Sequence, residues 1–528
     1  MTSISRSLFL RMLLGLSLFV FGSLQAAPAK KPATAAEEAT PAKEVPKKQA
    51  ARPGLGGGPA YPIRAENPDE SWKQNANINP EAVKQAADRI DKVVEGIYKS
   101  KNVTPKPIAS DEVFVRRVYL DLAGRIPTYQ EAMKFLSSKD ANKRENLVLG
   151  LVQSEGYVNH FYNYWAGLLR IQSYEQGMSN RAYEKWVKAA LRDNMPYDVF
   201  VRSLVTADGT TTPDNGATGF ILRDRRQGVL DHVSQLSTVF LGSQIGCAMC
   251  HDAKFEKWKQ KDFYALTAFF SEMTLSKDPK LQKELREQEQ EKGKTPAEIR
   301  EIRRQMRESP YIIVDRKNKE QTLPKDYKYE PALQGAVIKP AVLYGNNPQK
   351  DATESRREAF ARWLTSPENP NFTKNIANRM WAGLFGIGLI EPLDDINDDN
   401  KPSSTVLLDE LTRTMVSFKY NMKAFAAAVA ESKTYQRATS TEAAKWETFA
   451  FESHPLRRLT AEQIWDSFFS IFMGERINQP GSSGSSQPHG DAVVMRTERN
   501  EMGQMSRPLV AENENSGMKS GAMAMNAG

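Results

Sequence analysis

The chain has 528 residues, of which 40 % are hydrophobic and 26 % charged, and it contains only two cysteines. A body of this size buries a sizeable core without disulfide staples and exceeds one ordinary domain, which excludes a small cross-linked scaffold. Of the formal net charge of +8, Arg6 and Arg11 supply two; the excess of Lys30, Lys31, Lys43, Lys47, Lys48 and Arg52 over Glu37, Glu38 and Glu44 supplies three, and the remaining +3 is too mild for a nucleic-acid-binding protein.

The N-terminus reads as an export signal. Arg6 and Arg11 flank the start of the apolar run Met12–Phe21, and small residues then suit cleavage after Ala26. The run falls short of the ~20 apolar residues of a spanning helix, and no later stretch supplies one. A periplasmic or otherwise exported protein is therefore expected, with residues 1–26 as signal peptide; an uncleaved membrane anchor is the competing reading. Residues 27–74 are rich in Ala, Pro, Lys and Gly. They read as a disordered linker, because such a composition cannot bury enough apolar surface to offset its ordering entropy.

Folded structure is expected from about Asn79, where Ala82, Ala86, Ile90, Val93, Val94 and Ile97 recur at helical spacing. Asp111–Leu122 forms a second amphipathic stretch, stopped at Gly124, and Thr128 with Glu131 makes a capping box that opens a third. Helices follow over Tyr162–Ile171 and Ala182–Asp193. Residues 278–309 are densely charged, and Thr295, Pro296 and Glu298 mark a helix start inside them, so an exposed helical hairpin is expected. Tyr311–Val314 and Ala336–Ile338 read as short strands. Apolar stripes return on Phe360, Trp363 and Leu364, then on Ile376, Met380, Trp381, Leu384 and Phe385. Leu407–Ser417 and Met422–Ser432 add two helices, and Thr460 with Gln463 caps a last one bearing Ile464, Trp465, Phe468 and Phe469. The sequence thus predicts a mainly α protein. Its parts are a first helical domain over 75–275, a charged helical insertion with short strands over 276–350, a second helical domain over 351–475, and a disordered tail over 476–528.

Both cysteines fall in Cys247-Ala248-Met249-Cys250-His251. Two thiols two residues apart, followed by histidine, form the attachment signature of c-type haem: each sulfur adds to a porphyrin vinyl group, and the imidazole binds the iron. Haem c on Cys247, Cys250 and His251 is the first reading, with His232 or Met273 as the distal iron ligand and Phe255, Trp258, Phe263, Tyr264, Phe269 and Phe270 as possible porphyrin walls. A disulfide or thiol-redox pair is the second. A structural zinc site is third, because it lacks a matching ligand pair. Asp394–Asn400 carries oxygen ligands enough for calcium but fails the EF-hand pattern at Val406, so turn-building is preferred. The tail methionines Met495, Met502, Met505, Met518, Met523 and Met525 are of a type that binds copper(I), a weaker reading. Arg116, Arg117, Asp121, Arg125, Arg379 and Trp381 read as buried ion pairs and core that fix helix packing. No nucleophile–base arrangement, phosphate-binding loop, dinucleotide fingerprint or HExxH motif is present, so no enzyme class is assigned.

Several long strings resemble the exported planctomycete-type proteins that join a cytochrome-like domain to a second helical domain. The first domain's marks are DEVFVRRVYLDLAGRIPT (111–128), GFILRDR (219–225) and FLGSQIGCAMCHDAKFEKWKQKDFYALTAFF (240–270). The second's are RREAFARWLTSPENPNFTKNIANRMWAGLFGIGLIEPLDD (356–395), SKTYQR (432–437) and RRLTAEQIWDSF (457–468). The resemblance implies an exported, largely helical protein of two domains with haem on the CxxCH. This chain departs from it in two places: Ala253-Lys254 replaces a second histidine after the motif, and Pro402-Ser403-Ser404 lacks the histidine often found after the acidic loop. The expected function is electron transfer with redox partner proteins of the cell envelope; the alternative is a non-redox envelope scaffold or polymer-binding protein whose CxxC forms a disulfide.

Overall fold

The structure, a computed structural model, describes residues 70–474 except 173, 176–177, 213, 224–227, 255, 352 and 441–443. The expected signal peptide, most of the linker and the tail lie outside the described residues. The last part of the expected linker does not: Ser71–Asn75 forms a 3-10 turn and Trp72 is buried. One large aromatic side chain is buried here in a stretch whose composition reads as a linker.

The long helix Pro80–Lys101 starts under Asn79, whose side chain accepts the amides of Glu81 and Ala82, with proline at the first helical position. Its buried face is Val83, Ala86, Ile90, Val94 and Tyr98, spaced three and four apart. That face meets Thr405–Ser417 and Met422–Glu431, helices from the far end of the described chain. Asp91, on the same helix, accepts the amides of Lys433 and Thr434 and so starts the short helix Lys433–Gln436. The two helical regions therefore share one hydrophobic core. Elsewhere in it, Tyr197 stacks on Phe372 with ring centres 5.1 Å apart, and Phe270 meets Phe360 edge-on at the same distance.

Helix Asp111–Val118 widens into a π turn over Tyr119–Ala123 and stops at Gly124, which has φ +70. The expected capping boxes form at Thr128 with Glu131, Thr295 with Glu298, and Thr460 with Gln463. One helix begins earlier than its apolar spacing indicated: Ser154 caps Glu155–Leu168 by accepting the amide of Tyr157. The charged stretch is a hairpin of Pro279–Gln290 and Pro296–Glu308, in which only Leu285 and Ile302 are buried.

Strand structure among the described residues is confined to small antiparallel sheets. Tyr311–Asp315 lies between Gly209–Thr210 and Met273–Lys277, with Ile313 opposite Leu275; Gln321–Thr322 pairs with Val337–Ile338. The central strand is locked to the second helical region by Arg357, which pairs with Asp315 at 3.0 Å and also donates to the carbonyls of Val205 and Ala207. Both partners are buried, so the remaining guanidinium donors must be satisfied locally, and they are. No helix among the described residues is long and apolar enough to cross a membrane.

Candidate haem-attachment turn and a buried charge cluster

Helix Val229–Leu241 delivers the CAMCH motif. It ends at Gly242, with φ +61, where an added Cβ would press on Ile396 and approach the Asn375 side chain. Gly246–Met249 then forms one 3-10 turn. A Cβ on Gly246 would lie 2.8 Å from Ser234 Oγ, so glycine lets the turn rest directly on the helix. Ile245 and Ala248 are buried and anchor the turn, while Cys247, Cys250 and His251 are exposed and both thiols are unpaired. Gln260 donates its side-chain amide to the Met249 carbonyl at 3.2 Å and its backbone amide to Asp252 Oδ1 at 2.9 Å. Tyr329 accepts the Asp252 amide at 2.7 Å. Next to the turn, burial pushes the Tyr264 hydroxyl pKa up, and the neighbouring Cys250 adds to the effect.

His251 is oriented by its neighbour: Nδ1 lies 2.8 Å from the Asp252 carbonyl oxygen. A carbonyl only accepts, so Nδ1 carries the hydrogen. In the neutral ring Nε2 then keeps its lone pair. This is the tautomer that an axial iron ligand requires.

The other residues expected around haem lie differently. His232 is buried between the rings of Phe220 and Phe270, at 5.0 and 5.6 Å, and Met273 is buried at the start of a strand. Both side chains face the interior, whereas His251 faces solvent. Trp258, Phe263, Phe269 and Phe270 are buried among core residues; Phe255 lies outside the described residues. Among the described residues no group of three or more His, Cys, Asp or Glu side chains is placed to hold a metal ion. In the acidic loop, Asn397 Oδ1 accepts the amides of Asp399 and Asn400, its Nδ2 donates to Glu256 and Asp395, and Asn400 donates to two carbonyls. These are turn-building bonds.

Residues 89–274 match PSCyt2, described as a protein of unknown function (DUF1549), and residues 356–521 match PSD1, likewise a protein of unknown function (DUF1553). The chain carries the two regions in tandem. No curated protein and no solved structure matches it. The CAMCH turn lies wholly in the PSCyt2 region.

A second constellation joins the two regions. Asp121, in the π turn of the PSCyt2 region, accepts from Tyr435 Oη at 2.6 Å and pairs with Arg457, both from the PSD1 region. His454 Nε2 lies 4.0 Å from the same carboxylate. Burial pushes the Asp121 pKa up against the pull of Arg457, and it drives the His454 pKa well below the usual range. His160 is pulled down to about 4 by burial and the Arg457 charge, so its ring is neutral at pH 7.

The ion-pair expectation holds for part of this set only. Arg125 pairs with Glu131 at 2.8 Å. Arg116, however, is exposed, and Arg117 donates to the carbonyls of Tyr435 and Arg437 and to Thr439. Arg379 has no carboxylate in ion-pairing range among the described residues; it donates to Asn375 Oδ1 at 3.0 Å and to the Thr238 carbonyl at 3.3 Å. Trp381 stacks on Phe385, ring centres 4.1 Å apart. Local spacing cannot reveal the partners of Arg117 and Asp121, because these lie more than 300 residues away. The one available signal was that Tyr435 and Arg457 stand within the strings SKTYQR and RRLTAEQIWDSF.

Proposed function

We propose that the protein is an exported, c-type cytochrome-like electron-transfer protein, with haem attached through Cys247 and Cys250 and its iron bound by His251. The observation that carries this reading is the Nδ1 bond of His251 to the Asp252 carbonyl, which leaves Nε2 as a ligand on the same exposed turn as two unpaired thiols. When bound, haem supplies one-electron chemistry. The chain's own part is positional. Ala248 pins the turn to the core, Gln260 and Tyr329 hold Asp252, and Asp252 orients the imidazole. Use of His232 or Met273 as a distal ligand would require either side chain to leave the core. Redox partners would be envelope proteins that reach the solvent-facing turn.

The test is expression of the full chain in a host that exports it and ligates haem. The reading expects a haem c spectrum and haem that stays on the chain under denaturing electrophoresis, lost in Cys247→Ser and Cys250→Ser. Haem-free protein that yields two titratable thiols only after reduction would overturn it in favour of the disulfide-bearing scaffold.

A further inference from the structure

Helices Glu155–Leu168 and Phe372–Phe385 and the start of Ala461–Met473 border a pocket of about 210 Å³ between the PSCyt2 and PSD1 regions. Phe161, Tyr164 and Met380 give it apolar walls, and Arg379 and Arg457 bring cations to it. The two cations differ in what balances them. Arg457 is paired with Asp121. Arg379 is only 4 % exposed, and the groups it meets, an amide side chain, a backbone carbonyl and the Tyr164 hydroxyl, carry no negative charge. His160, also in the lining, contributes no charge at neutral pH. A guanidinium stays protonated in any protein environment, and a buried one without a counter-charge is strongly unfavourable. The negative charge missing from this pocket is therefore missing at Arg379.

We propose that the pocket binds a single-ring organic carboxylate, its carboxylate on Arg379 and its ring against Phe161, Tyr164 and Met380. Size and chemistry both select this class. An apolar cavity of about 150 Å³ accommodates benzene, so the larger volume here leaves room for one carboxylate on a ring. A planar guanidinium matches two carboxylate oxygens, whereas sulfate or phosphate would bring further oxygens to apolar walls. Arg458 and Glu462, both exposed in the lining, offset each other in charge, so the uncompensated cation is the buried Arg379.

Benzoate titrated calorimetrically into the full-length protein tests this, with benzyl alcohol and inorganic sulfate as probes of the ring alone and the charge alone. Benzoate is expected to bind at least tenfold more tightly than either. Arg379→Gln should weaken benzoate at least tenfold. Gly383→Leu supplies a variant that keeps the arginine: Gly383 borders the pocket, an added Cβ there meets nothing within 4 Å, and a leucine side chain would fill the space. It should abolish binding while the helical circular dichroism and melting temperature stay near those of the parent. Failure of the parent to bind benzoate, equal binding of benzyl alcohol or sulfate, or unchanged benzoate binding in both variants would each overturn the proposal. Cys247, Cys250 and His251 do not line the pocket, so the outcome is independent of haem.

Discussion

At the CAMCH turn, three reactive side chains come from five consecutive residues and stand in solvent. Around Asp121, the partners Tyr435 and Arg457 come from 314 and 336 residues away and meet a carboxylate that is 2 % exposed. The first arrangement keeps its groups available at little consequence for folding. The second makes charge and fold inseparable, because each member satisfies another that water no longer reaches. Reactivity and stability thus occupy different places in this molecule, and three measurements test that division.

The largest effect is expected at Asp121. Replacement by alanine leaves Arg457 and the Tyr435 hydroxyl without their acceptor and should lower unfolding stability by about 3–5 kcal/mol in urea titration. A loss below about 1 kcal/mol would put the cluster on the same footing as an exposed pair. Acid should act on the same site through His160. Its folded pKa is about 4 against an ordinary 6.5, so below pH 6.5 the unfolded chain takes up a proton that the folded chain refuses. The contribution of the neutral ring is complete above pH 6.5 and is lost as pH falls toward 4, an effect of about 3 kcal/mol. Glu431 works with the opposite sign: burial raises its pKa to about 7, so its stabilisation is present below 4.5 and fades as pH rises to 7. Comparing the stability–pH curve of His160→Gln with the parent isolates the histidine, and identical slopes between pH 4 and 6.5 would remove it from the cluster. The smallest effect belongs to the turn. Cys247→Ser and Cys250→Ser should change the stability of the haem-free protein by no more than about 0.5 kcal/mol, since both thiols are exposed and unpaired.

The same contrast explains what could be read from the sequence. Capping boxes at Thr128, Thr295 and Thr460 and the strand at Tyr311 were legible, because each depends on residues a few positions apart. The location of the CAMCH residues on one turn followed from their spacing. The π turn that presents Asp121 has no comparable local signature. Arg379 is not an ion-pair member: Asn375 stands one helical turn before it, but that spacing alone does not show that an amide and the distant Thr238 carbonyl take the place of a carboxylate. The sharing of one core by helices Pro80–Lys101 and Met422–Glu431 was likewise hidden, because an apolar stripe states that a face is buried but not against what.

That shared core sets an order of events in the life of the chain. Asp91 and the stripe from Val83 to Val94 wait for residues near Thr434, 343 positions downstream. A ribosome adding roughly 5–20 residues per second takes tens of seconds to supply them. The helix Pro80–Lys101 is therefore made long before its packing surface exists. Closure of the fold is a late event, and until then an apolar face must be kept from other chains.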